Sequence, residues 1–358
     1  MANAVTRTLQ SEAGRGLTLV SPAFLYALLL LAAPLATIVL FSFWTQQFLT
    51  IDRTFTFSNY QEALTDPLYR TLMLRSLVIS AAVTATTVIL AFPIAYFISF
   101  RVQPRHKSLW LFLITIPFWT SYLIRVFLWR VILAFDGPVN GSLMTLGVID
   151  QPLPFILYNP VSVVITLSHA FAPFAILPIF VSLEKIDRSL IEAARDLGES
   201  RAMTFLRVTL PLAMPGILGA IVIVFIPTIG DYVTPRLVGG ANGTMIANMI
   251  YAQIFDLQNR PMGATLAVVA MVAVVLSLLW GATRLRAWVW IADRFGGGYR
   301  GFAAVIAIAG GEVLMIWGIF THAPAVIGPI GTIIFLVVIL GFLSLWILFQ
   351  LPRGKLGI

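Results

Sequence analysis

The chain has no cysteine among its 358 residues, and its three histidines (His106, His169 and His322) stand far apart in the sequence. Disulfides and thiolate metal sites are therefore excluded, and a histidine-based metal site is not expected without ligand spacing. Charge is the next scarcity. Only 11% of the residues are Asp, Glu, Lys or Arg, against 59% hydrophobic. That balance lies far outside the soluble range, and the mean hydropathy of +0.95 points to an integral membrane protein. Acidic residues are scarcer than basic ones, giving a net charge of +8. The arginines lie in short segments between apolar runs, so the excess is a topology signal and not a nucleic-acid surface. No Walker A sequence is present, and no nucleophile-elbow spacing appears. The chain does not carry an ATPase or hydrolase signature of its own.

What is present is a series of apolar runs long enough to cross a hydrocarbon core of about 30 Å. Met1–Leu19 reads as a polar tail, and Val20–Trp44 as the first span, too long for a signal peptide. Thr45–Arg75 reads as a polar loop with interfacial aromatics (Phe55, Phe57, Tyr60, Tyr69). The second span is expected at Ser76–Phe100, with a kink at Pro93, and the third at Ser108–Phe135. A loop over Asp136–Pro160 precedes the fourth span at Val161–Ser182. The fifth span is expected at Pro211–Val233, followed by a Gly-rich loop containing LVGGANG, and the sixth at Gly263–Thr283. Two further apolar runs, Phe302–Phe320 and Ala325–Leu351, follow a basic linker, and the first carries Glu312 beside Gly310 and Gly311. The expected fold is all-α: a polytopic transmembrane bundle of six core helices plus two C-terminal ones. The expected division is a tail (1–19), a transmembrane domain (20–286) and a linker with a C-terminal hairpin (287–358).

Basic residues orient this bundle. With the N-terminus in the cytoplasm, sixteen Lys and Arg fall on the inner side and five on the outer, with Arg125 and Arg130 inside the third span. The same choice makes Leu183–Gly216 cytoplasmic. Ten of the chain's 38 charged residues lie between Glu184 and Arg207. Leu183, Ile186, Leu190, Ala193/Ala194 and Leu197 recur at helical spacing and define an apolar face. Glu184–Arg188 and Glu192–Arg195 are placed to pair on the solvated side. Gly198 stands where a helix C-cap needs positive φ, and a second short helix is expected at Arg201–Val208.

Within that stretch Glu192, Ala193, Ala194, Gly198, Val208, Leu210 and Pro211 match the pattern EAA-x3-G-x9-I-x-LP, with Val for Ile. This resembles the cytoplasmic loop of permease subunits in bacterial ATP-binding-cassette importers of type I architecture. FSNYQEAL, AFPIAYFIS, IPFWTSYLIRVFLW and GDYVTPRLVGG look like the spermidine/putrescine branch of that family. The likeness runs through Ser21–Arg286, and the C-terminal pair of helices departs from it. The resemblance implies that the loop (183–210) couples to a cytoplasmic ATPase dimer, which uses ATP and magnesium while this chain binds no cofactor. It also implies a second, homologous permease chain, a periplasmic substrate-binding protein, a bacterial inner membrane and no nucleic acid.

Residues for a solute path are sought among the few ionisable groups near the spans, because a charge in hydrocarbon costs several kcal/mol. Asp231, with Tyr232 beside it, suits a polyamine cation through charge pairing and cation–π contact. Asp136 and Trp119 are candidates for the same route. Arg125 and Arg130 would repel a cation, and are expected to pair with Asp136 or Asp231 or to reach the interface. Their charge keeps an anion, an opine or an amino-acid derivative open as cargo. For each of these residues a satisfied inter-helix pair is the competing role. Glu312 is an intramembrane candidate with a lineage-specific hairpin as its bland alternative. Rival classes are a secondary transporter, which calls for inverted repeats the sequence does not display, and a membrane scaffold.

Overall fold

The computed structural model describes residues 12–48, 50–153 and 156–294. The expected C-terminal helices and Glu312 lie outside them. Among the described residues five helices are long and apolar enough to span a membrane: Leu19–Phe41, Pro67–Phe100, Pro160–Glu184, Arg201–Ile229 and Arg260–Gly281. A sixth passes only as a bent pair, Pro104–Trp119 with Tyr122–Ile132. These are the first, second, fourth, fifth, sixth and third spans. The described residues divide into two compact units, one of 12–67 and 249–271, the other of 68–248 and 272–294.

In the first unit the segment after the first span is not a plain loop. It forms a two-stranded hairpin, Thr45–Gln47 against Thr50–Asp52, and a helix at Ser58–Thr65. Phe43 stacks on Phe55 at 4.5 Å and meets Phe57 edge-on at 5.4 Å. Ser42 is fully buried, its hydroxyl bonded to the Tyr60 hydroxyl at 2.6 Å, and its carbonyl accepts from Thr265 Oγ1 at 3.0 Å.

Prolines open several of the helices. Pro67, Pro104, Pro138 and Pro160 are each the first helical residue, where a missing N–H costs nothing because no carbonyl awaits it. The second span consequently begins at Pro67, nine residues before the expected Ser76, and is continuous through Pro93. Asn159 caps the fourth span, its side chain accepting from the amides of Val161 and Ser162. The expected loop after the third span contains a helix at Pro138–Thr145.

The third span is not one straight helix, contrary to the reading from hydropathy. Its two halves meet at 87°. Pro117 lacks the N–H that would continue the ladder, and its ring crowds the carbonyl of Leu113. A single 3₁₀ turn at Ile116–Trp119 follows, and Thr120 and Ser121 are extended with ψ of 147° and 139°. Hydrophobicity is blind to this break because both halves remain apolar.

The fourth and fifth spans form the central helix pair. Leu167, Ile176, Ile179, Ala213, Ala220 and Val224 are buried between these and neighbouring helices. Gly216 sets their approach, since a Cβ there would lie 2.4 Å from the Pro178 carbonyl and 2.5 Å from Ser182 Oγ. Small residues at such crossings let helices in a bilayer gain packing contacts that hydrophobicity alone cannot supply. The second short helix expected at Arg201–Val208 is the beginning of the fifth span itself, joined through a π-turn at Phe205–Thr209.

At the opposite end of the bundle the Gly-rich loop is fastened to the second and fourth spans. Ser162 Oγ donates to the Val238 carbonyl at 2.5 Å, and Ser76 Oγ accepts from the Ile246 amide at 2.7 Å. Arg75 Nη1 donates to the Ala241 carbonyl at 3.1 Å. Gly240 takes φ of +60° with no room for a side chain against the Tyr158 carbonyl.

Gly216→Val is expected to destabilise the helix pair by about 1–3 kcal/mol, the usual range for overpacking. Gly219→Ala should be silent, because the nearest atom to its new Cβ is 3.9 Å away. Unfolding midpoints in detergent micelles check the contrast; equal midpoints for the two variants would refute this view of the crossing.

Candidate functional site

The loop between the fourth and fifth spans is built by its caps. Asp187 opens the helix Arg188–Asp196, its carboxylate accepting from the Ser189 amide at 3.0 Å. That bond holds the fully exposed Asp187 carboxyl below the usual carboxylate range. The helix closes in a Schellman turn: the Gly198 amide donates to the Arg195 carbonyl at 2.9 Å, and the Glu199 amide to the Ala194 carbonyl at 3.1 Å. Gly198 has φ of +88°, as its position in the sequence requires. Ser200 then caps the next helix by accepting from the Met203 amide. Glu199 pairs with Arg207, stapling the turn to the first turns of the fifth span.

The face this helix presents differs from the one helical spacing suggests. Leu183 and Ile186 are buried, but they precede the helix, and Ile191 is its sole buried residue. Leu190 is half exposed and Leu197 is 86% exposed. The sequence period ran through a break at Lys185–Asp187, where the rotation of the helix is reset, so one stripe became two. Glu192, Ala193 and Gly198 are exposed, Ala194 is partly so, and Pro211 is exposed on the fifth span. Val208 and Leu210 are instead half-buried and packed against the core. The motif thus divides: its first four residues with Leu190 and Leu197 form an open, mixed apolar and charged tip, while Val208 and Leu210 seat the loop and Pro211 stays exposed.

A polar cluster anchors the base. Glu184 does not pair with Arg188. Its Oε1 accepts from Lys107 Nζ and from Ser99 Oγ, both at 2.6 Å. Lys107 Nζ also donates to the Ser99 carbonyl at 2.9 Å, and Arg188 Nη2 donates to that same carbonyl at 3.3 Å. Ser99 closes the AFPIAYFIS stretch and Lys107 lies in a basic loop, but no local pattern pairs either with Glu184. They stand 85 and 77 residues from Glu184, beyond the reach of helical periodicity.

The solute-path candidates are less gathered. Asp231 Oδ2 accepts from the Tyr122 hydroxyl at 2.7 Å, and its Oδ1 accepts from the amides of Val233 and Thr234. Tyr122 also bonds Thr234 Oγ1 at 2.7 Å, which ties the second half of the broken third span to the turn after the fifth. Tyr232 is 40% exposed and Trp119, at the break, 80%. Asp136 lies past the far end of Tyr122–Ile132, a helix about 16 Å long at 1.5 Å per residue. It lines a shallow groove of about 650 Å³ with Pro138, Ser142 and Thr145, apart from Asp231 and Trp119.

Arg125 and Arg130 pair with neither aspartate. Arg125 is buried, and its guanidinium donates to the carbonyls of Thr120 at 3.2 Å and Ala170 at 3.3 Å, over the Phe118 ring at 5.2 Å. It satisfies a carbonyl exposed by the helix break, a role that could not be foreseen without the break. Arg130 donates to the Tyr158 hydroxyl at 3.2 Å.

Residues 17–290 match the family described as binding-protein-dependent transport system inner membrane component. The spermidine/putrescine transport system permease protein PotB of Escherichia coli K12 is 38% identical over 237 residues, 66% of this chain and 85% of that protein. PotB of Haemophilus influenzae is 34% identical over 232 residues, 64% of this chain and 80% of the relative. Among solved structures, a chain of a bacterial ABC transporter involved in import of the acidic polysaccharide alginate superposes with a TM-score of 0.59 at 16% identity. That match covers 79% of this chain and 99% of the other. It supports the fold alone.

Two measurements test the loop geometry. Gly198→Ala forces a side chain into positive φ at a cost of about 1–2 kcal/mol. The Glu199 amide should then exchange with deuterium about tenfold faster, as 1.4 kcal/mol implies; unchanged exchange would contradict the Schellman turn. Because the folded Asp187 carboxyl titrates low, its cap is fully present above the ordinary aspartate pKa and is lost as pH falls through the folded value. A carbon-detected titration of Asp187 should show a midpoint below that of an unfolded peptide, and a midpoint above it would be the wrong sign.

Proposed function

The chain belongs to the binding-protein-dependent inner-membrane transport components, and from that premise we propose that it forms half of an ATP-driven import path for a polyamine. The permease role follows from the family and from the helical bundle. The finer reading rests on one observation: the exposed tip Glu192–Gly198, held rigid by caps at both ends and by the Glu199–Arg207 pair. An exposed leucine costs hydrophobic free energy unless a partner covers it, and Leu197 stands at the apex with Ala193 beside it. Small Ala side chains admit close approach, and Glu192 and Arg195 flank the tip for charge pairing.

The partner at this tip is a cytoplasmic ATPase dimer, on the side that the basic residues mark as inner. ATP and magnesium act there. When the dimer closes on ATP, the loop is carried with it and the bundle opens outward. A periplasmic binding protein then releases its ligand, and hydrolysis returns the bundle to its inward state. A homologous second permease completes the path, since one such bundle supplies only half of its wall.

Cargo is read from Asp231. Asp231 accepts from Tyr122 and from two backbone amides, but among the described residues no Lys or Arg ion pair neutralises it, so its charge can also attract a passing cation, and Tyr232 offers an adjoining ring. The PotB relatives carry spermidine and putrescine in their names, which supports the same class here.

Proteoliposomes holding the chain with its permease partner, ATPase and binding protein should accumulate radiolabelled spermidine only with ATP. Asp231→Asn should lower that uptake by about 10–100-fold, as expected for loss of a charge-assisted contact worth ~1.5–3 kcal/mol. Leu197→Glu should abolish ATPase recovery while membrane insertion is kept. Uptake by the purified chain alone would refute the importer reading. ATP-dependent uptake of an anionic solute without spermidine would refute the cargo while leaving the importer.

A further inference from the structure

The tip can move the fourth and fifth spans directly, because it is their connection. How its motion reaches the third span, where the helix is broken, is a separate matter. The third span enters the bundle at Pro104, and Lys107 lies in its first turn. The Lys107 side chain is only 12% exposed, and its ammonium bonds both the Ser99 carbonyl and Glu184. Glu184 is the last residue of the fourth span, three residues before the cap of the loop helix. Arg188, the first residue of that helix, holds the same Ser99 carbonyl. Trp110 packs edge-on against Phe97 at 5.8 Å, which ties the third span to the second but not to the loop. The cluster is therefore the polar link between the start of the third span and the base of the loop.

We propose that Lys107 is a positioning residue that transmits displacement of the Arg188–Asp196 helix, through Glu184, to the broken third span. The proposal rests on the coupling reading above. Charge-assisted bonds of this length are directional, so a shift of Glu184 draws the ammonium and the helix that bears it. The extended residues Thr120 and Ser121 lie outside any continuous helical ladder, so the span can yield there with fewer backbone bonds at stake than inside either half. Coupling of this kind needs two arrangements of a contiguous network, and the cluster supplies the connection between them.

The absence of native cysteine allows a direct test. Ser121 is exposed at the break, and Ser121→Cys gives a single reactive site on this chain in the assembled complex. Its labelling rate with a membrane-impermeant maleimide should differ about fivefold between nucleotide-free and ATP–vanadate-trapped complex, at the low end of inter-site coupling. Adding Lys107→Met should erase the difference while the ATPase still co-purifies in full yield. Lys107→Arg, and the exchanged pair Lys107→Glu with Glu184→Lys, should restore it. Should Lys107→Met not assemble, Glu184→Gln removes the same ion pair while keeping the Ser99 bond. A full nucleotide response in Lys107→Met or Glu184→Gln, with ATPase bound, would overturn the proposal and leave the coupling reading standing. So would a Ser121→Cys complex that binds ATPase without any response. Failure of the parent complex to bind ATPase would overturn both.

Discussion

The carbonyl of Ser99 is the point on which the loop-bearing end of this bundle depends. Helix C-termini leave carbonyls without partners, and in a bilayer each unmet one costs several kcal/mol. Lys107 and Arg188 both donate to this carbonyl, and Glu184 balances the charge while accepting from the Ser99 hydroxyl. Four groups from the second, third and fourth spans and the loop helix are thereby brought to one place. The exposed tip is rigid because its base is satisfied here and its two ends are capped.

The same need for satisfied backbone explains the other irregular places. Pro117 breaks the third span, and buried Arg125 supplies donors to the Thr120 carbonyl and to Ala170 of the fourth span. The Gly-rich loop after the fifth span finds its donors and acceptors in Arg75 and Ser76, about two turns into the second span, and in Ser162 at the start of the fourth. In each case a side chain closes an irregular stretch of backbone, within its own span or in another segment. Arg125, which looked like an obstacle to a cation, has this structural task, and Arg130 is bonded to the Tyr158 hydroxyl.

Much of the architecture was legible in the chain. Run lengths placed the spans, and the spacing of Glu192, Gly198 and Pro211 marked a loop with a positive-φ turn, which Gly198 adopts. Among the readings that failed, three show the physical reason most directly. Hydropathy averages over the break at Pro117, so the third span looked whole. Helical spacing was carried through Lys185–Asp187, where the helix ends and restarts, so Ile191 was passed over in favour of Leu190 and Leu197. Ion pairs were sought one turn away, as between Glu184 and Arg188, whereas the shorter contact lay across the bundle at Lys107.

The sequence by itself determined that this is a multi-span membrane protein with one charged, capped loop of a recognisable permease pattern. Those properties follow from local rules of composition, period and turn chemistry, which act over a few residues. Only the tertiary structure decided which polar groups meet: Lys107 with Glu184, Tyr122 with Asp231, Arg125 with the carbonyls of a broken helix. A desolvated polar group bonds to whatever donor or acceptor packing brings within about 3 Å, and that neighbour is set by helix rotation and crossing, not by distance along the chain.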